Sequence, residues 1–119
     1  MLRIYARLLA VALVAIAVAA ALRIPNGGLG ASVLYAGSAA VFAYAGFRRG
    51  EAAVVRIVVA TMGSLILASG LLLALGMGVL GFPFEGRYWV VGLAHAALGG
   101  ATMACAVLLP CDDEGSASR

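Results

Sequence analysis

Apolar and polar positions in this chain do not alternate with the period of a half-buried helix or strand. They separate into long blocks. Four uncharged stretches lie between the charges: Leu8–Leu22, Ile24–Phe47, Ile57–Phe84 and Tyr88–Cys111. The first is short, and reaches full length if it starts at Ile4 and Arg7 snorkels toward a polar boundary. The second opens with Ile24-Pro25-Asn26-Gly27-Gly28, which is turn chemistry, so its helix is expected from Leu29. The third is the longest and ends among Gly76, Gly78, Gly81 and Pro83. A hydrocarbon layer of about 30 Å needs around 20 helical residues. The pattern therefore predicts an all-α, polytopic integral membrane protein. Its four transmembrane helices are expected at about 4–22, 29–47, 53–80 and 88–110, forming one domain over 1–111. A short polar tail follows at 112–119.

Composition narrows the picture. Of 119 residues, 65% are apolar and 11% charged, with a mean hydropathy of +1.11. A soluble domain carries about half apolar and a quarter charged residues, so a soluble enzyme and a disordered chain are both poor readings. All eight cations are arginines, with no lysine and no glutamine. That bias, alongside abundant Ala, Val and Gly, fits a GC-rich prokaryotic genome. The net charge of +3 forms no patch, because the arginines punctuate helix ends, and no nucleic-acid partner is expected.

The arginines instead set orientation. With four helices, the amino terminus, the second loop and the tail share one side and hold Arg3, Arg7, Arg48, Arg49, Arg56 and Arg119. The other two loops hold only Arg23 and Arg87. The excess of arginine belongs inside, so both termini are expected in the cytoplasm of a prokaryotic cell, with the helices in its plasma membrane. The third loop packs Phe82, Phe84, Tyr88 and Trp89 into eight residues, as an aromatic belt at the outer interface would. The first segment also has signal-peptide parts: a basic start, an apolar run and Ala19-Ala20-Ala21. The run continues to Leu22, and the segment is read as a retained helix.

In lipid, small residues that let backbones approach closely matter more than hiding apolar surface. Gly92, Ala96, Gly100 and Ala104 recur every four residues in the fourth helix and make the clearest ridge. Gly70, Ala74 and Gly78 do so in the third, and Ser32, Ala36 and Ala40 in the second. The fourth-helix ridge is expected to pack either within the chain or against a partner, in a homo-oligomer or a larger membrane complex.

His95 is the only histidine, about 9 Å deeper than Trp89 along its helix. An ionisable group inside a span is a functional candidate. Thr102 lies two turns further on the same face, and Glu85 is the nearest carboxylate, in the outer loop. As a haem or pigment ligand, His95 would need a second axial partner from another chain. As a transport residue it would draw on Glu85. The remaining reading is a neutral imidazole hydrogen-bonded to a neighbouring helix. Tyr35 and Tyr44 sit on opposite sides of the second helix and share no site. Cys105 and Cys111, six apart with no C-x-x-C, read as reduced thiols. No Asp or Glu falls inside a span, and no nucleotide, nucleophile-elbow or metal-binding motif occurs. The expectation is a non-enzymatic membrane protein without cofactor or metal, acting through helix packing as a structural, accessory or assembly subunit. The alternatives are a small homo-oligomeric transporter or channel with His95 and Thr102 along its path, and a haem or pigment subunit using His95.

Overall fold

The computed structural model describes residues 1–22, 29–48, 51–76 and 88–111, and among these it is all-helical. The four helices are α1 (Leu2–Ala21), α2 (Leu29–Phe47), α3 (Ala52–Ala74) and α4 (Tyr88–Leu108). Each is long and apolar enough to cross a membrane. The helix α3 stops where the chain turns left-handed at Gly76 (φ 77°), a conformation that costs glycine no side-chain clash. There the amides of Leu75 and Gly76 reach back to the carbonyls of Leu71 and Leu73. The expected continuation over 77–80 lies outside the described residues.

The helices pair as two antiparallel hairpins, α1 with α2 and α3 with α4. Glycine sets the second pairing. On α3, Gly63, Leu67, Gly70 and Ala74 face Met103, Gly99, Ala96 and Gly92 of α4 in turn. A Cβ added at Gly70 would lie 2.3 Å from the Ala96 nitrogen, and one at Gly99 would lie 2.2 Å from that of Leu67. The backbones are thus nearly in contact, as close small-residue crossings require. The facing positions are spaced 4, 3, 4 on both helices. A strict four-residue ridge drifts by about 40° per step on a helix of 3.6 residues per turn. Gly92 and Ala96 therefore lie in this seam. A methyl added at Gly100, by contrast, would meet nothing within 4 Å, and Ala104 is exposed. Gly99, one residue from the expected ridge, takes the place next along the seam.

The hairpins meet at the end where α1 begins and α4 finishes. Leu2, Ala6, Leu9 and Leu13 of α1 close there on Phe42 and Ala45 of α2, Val55 and Val59 of α3 and Ala106 of α4. Arginines fasten the same end. The first-turn guanidinium of Arg3 donates to the Arg48 carbonyl, and Arg7 Nε to the Gly46 carbonyl at 2.7 Å. Arg56 reaches the carbonyls of Val107 and Leu109 at 3.1 and 3.3 Å. Terminal carbonyls of α2 and α4 have no partners within their own helices and carry the negative end of the helix dipole, so cations settle there. Arg7 also stacks over Phe47 (4.8 Å) and Arg48 over Tyr44 (5.1 Å). Toward the opposite end, called here the far end, the two hairpins leave a cavity between them.

Candidate functional site

Two polar side chains on α4 are each held twice. Thr102 is fully buried; its hydroxyl donates to the Leu98 carbonyl one turn back at 2.8 Å. With its proton so engaged, Thr102 Oγ1 accepts from the Tyr5 hydroxyl of α1, also at 2.8 Å. His95 repeats the arrangement two turns away. Its Nδ1 lies 2.8 Å from the Val91 carbonyl, which can only accept, so Nδ1 carries the proton. In the neutral ring Nε2 is then the acceptor, and the Tyr35 hydroxyl of α2 donates to it at 2.6 Å. The two rings lie 5.7 Å apart with a 38° tilt. Each α4 group thus bonds its own helix at i−4 and takes a tyrosine from the other hairpin.

These rungs differ in their surroundings. The Tyr5–Thr102 rung sits against the apolar cluster where all four helices meet. The Tyr35–His95 rung is half-buried and forms part of the wall of the inter-hairpin cavity, about 460 Å³ in volume. Among the described residues fourteen line that cavity, and ten of them are apolar. The four polar ones are Tyr35 and Ser38 on α2, Ser69 on α3 and His95 on α4; no charged side chain is among the fourteen. Ser69 donates to the Ile66 carbonyl of its own helix, which leaves its oxygen able to accept. Leu13 and Leu98 close the cavity toward the packed end. A second, more open groove of about 580 Å³ runs between α1 and α2. It is lined mainly by alanines, with Arg7 and Phe47 at one end, and Ser32 there donates to the Ala17 carbonyl at 2.9 Å.

Of the residues singled out by sequence, His95 and Thr102 share the inner side of α4 but not one chamber: His95 borders the cavity and Thr102 does not. Glu85 lies outside the described residues, as does the aromatic loop up to Arg87. Cys105 and Cys111 are both half-buried and unbridged. Among the described residues no group of three His, Cys, Asp or Glu side chains could hold a metal. The tyrosine partners, Tyr35 and Tyr5, are not evident from spacing within their own helices. A usable signal existed. Tyr35 is six residues into α2 and His95 seven into α4, and both helices start at the far end, so both rings lie about 10 Å along their helices. Compared with known proteins, the chain matches no family model, no curated protein and no solved structure.

Proposed function

We propose that this is a non-enzymatic, four-span plasma-membrane protein with both termini in the cytoplasm, working through helix packing as a structural, accessory or assembly subunit. The membrane reading is supported by how little of each helix is covered. At most a third of any span-length window is buried within the chain, and large apolar side chains such as Leu8, Val33, Ile57, Leu93 and Val107 face outward. Soluble monomers rarely expose contiguous apolar surface beyond a few hundred Å²; lipid tails would cover it without penalty. The orientation rests on the six arginines counted for one side against two for the other.

One observation carries the packing role. The outward side of α4 bears Ala97, Ala101 and Ala104, all exposed, beside Gly100, where even an added methyl would meet nothing. Small side chains there would let a second helix pack closely against this face. Its occupant is a transmembrane helix of another subunit or of a second copy. Gly100→Leu tests this, because a side chain leaving that Cα meets nothing of its own chain within 4 Å of its Cβ and projects toward a neighbour. On native gels of mild detergent extracts, the substitution should shift the protein from an assembly to a lone, folded chain. An assembly of unchanged size would reject the α4 face as the contact.

A second reading, a small homo-oligomeric transporter or channel, is favoured by His95 bordering a cavity between the hairpins. In that case His95→Ala would abolish flux in reconstituted vesicles while the folded assembly persisted. A haem or pigment role asks more of the site, since ligation through Nε2 would displace the Tyr35 hydroxyl.

A further inference from the structure

We infer that the cavity between the hairpins is a binding site for a neutral amphiphile with a long apolar body and a hydroxyl head, such as a prenyl alcohol, with the Tyr35–His95 pair as the head-group receptor. The inference stands on the cavity alone and does not depend on the packing role of the outer α4 face.

Its volume of about 460 Å³ lies in the range of small-molecule sites, roughly 300–1,000 Å³, which are also mostly apolar with a few placed polar groups and are often found between the helices of bundles. Leucine, isoleucine, valine and methionine make most of the wall, which suits a hydrocarbon body. Among the described residues no charged side chain lines the cavity, and that sets the head group's charge. A carboxylate, phosphate or ammonium brought into this cavity would lose its water and meet no counter-ion among the described residues of its wall. A neutral head avoids that cost.

The hydrogen bonds set the head group's polarity. With Nδ1–H fixed on the Val91 carbonyl, a neutral imidazole takes the Tyr35 proton in a hydrogen bond at Nε2. The phenolic oxygen is then left with lone pairs and no proton to give. It can accept a hydrogen bond from the cavity but cannot donate one without releasing His95. The Ser69 oxygen, whose proton is held by Ile66, is likewise an acceptor. Ser38 stands one turn along α2 from Tyr35 on the same cavity wall and makes no hydrogen bond with the described residues, so its hydroxyl can donate to the oxygen of an incoming group. The described wall therefore offers the Tyr35 and Ser69 oxygens as acceptors alone and the Ser38 hydroxyl as a donor that can also accept. A hydroxyl group, which both donates and accepts, complements that set. An ether or ester oxygen, which only accepts, cannot use the Tyr35 oxygen.

The test compares two ligands on the intact wild-type protein in detergent: a prenyl alcohol and its methyl ether, with affinity measured by isothermal titration calorimetry. A hydrogen bond to a buried acceptor contributes about 0.5–1.5 kcal/mol net, so the alcohol should bind about two- to tenfold more tightly than the ether. Equal binding of the two, or no binding of either, would overturn the inference. Tyr35→Phe removes the acceptor and should bring the ratio of alcohol to ether close to one; a ratio kept at its wild-type value would place the head group elsewhere and overturn the assignment. Ala68→Phe, which projects a ring into the same cavity, should abolish binding of both ligands, and unaltered binding would contradict the site. Because the ligand comparison needs no substitution, its outcome stands even if a variant misfolds.

Discussion

Gly99 and Gly100 are neighbours in sequence with opposite environments, and replacing each by alanine separates packing from every other effect of losing a glycine. A methyl at Gly99 would sit 2.2 Å from the Leu67 nitrogen, 2.6 Å from its Cα and 2.7 Å from the Gly63 carbonyl oxygen. All three atoms are backbone, so no side chain can swing aside. Ordinary contact begins near 3.4 Å, and α3 and α4 would have to part by about 1 Å. A gap of 0.5–1 Å forfeits roughly a quarter to a half of each dispersion contact across it, and overpacking of this kind costs about 1–3 kcal/mol. At Gly100 nothing lies within 4 Å of the added methyl. Both substitutions gain the helix propensity of alanine over glycine, up to about 1 kcal/mol. Within the single chain that gain cancels in the comparison, so the difference between the variants there is the clash alone, about 1–3 kcal/mol in favour of Gly100→Ala. Reversible unfolding in mixed micelles, followed by far-ultraviolet circular dichroism as dodecyl sulfate is added, reads the difference directly. Variants agreeing to within about 0.5 kcal/mol, below the smallest overpacking cost, or Gly100→Ala the weaker, would refute the seam.

The other expectations concern the rungs, the packed end and the orientation. A double-mutant cycle with Tyr5→Phe and Thr102→Val should return a coupling of about 0.6 kcal/mol, and at most about 1.7, the range measured between membrane helices; additive single effects would deny the bond. Phe42 is wholly buried where the hairpins meet. Phe42→Ala should cost about 3 kcal/mol in the same unfolding assay, the low end for aromatic truncation, because the ring stays out of water in both states of a membrane protein; a loss below about 1 kcal/mol would show that the hairpins do not rely on this contact. A topology reporter fused after Arg119 should report the cytoplasm, and an external signal would contradict either the number of spans or their direction.

The number of helices was legible in the sequence because charge and turn chemistry interrupt the apolar blocks, as at Arg48 and Ile24-Pro25-Asn26-Gly27; the end of α3 was not, since the apolar run continues past the turn at Gly76. The faces of the helices were harder to read. Alanine and glycine are so frequent here that several stripes can be drawn on one helix. A four-residue repeat picks out Gly92, Ala96, Gly100 and Ala104, whereas the contact follows Gly92, Ala96, Gly99 and Met103, because only alternating steps of four and three stay on one side of a helix. His95 and Thr102 were identifiable as polar groups within an apolar block. Their partners were not, since Tyr5 and Tyr35 are 97 and 60 residues away in the chain and belong to the other hairpin. The arginines likewise read as markers of sidedness, and the structure adds that Arg3, Arg7 and Arg56 engage the carbonyl ends of α2 and α4. That use depends on which helix ends lie together, a property of the tertiary fold.

If the protein works by packing its outer α4 face against another transmembrane helix, the partner should survive gentle extraction from the native membrane. Native mass spectrometry of the chain prepared in that way is the direct test. The expected species is a complex heavier than the 12.0 kDa chain by at least one further polypeptide, either a second copy or a different subunit. A lone chain of 12.0 kDa, under conditions that preserve other membrane assemblies from the same extract, would contradict the packing role.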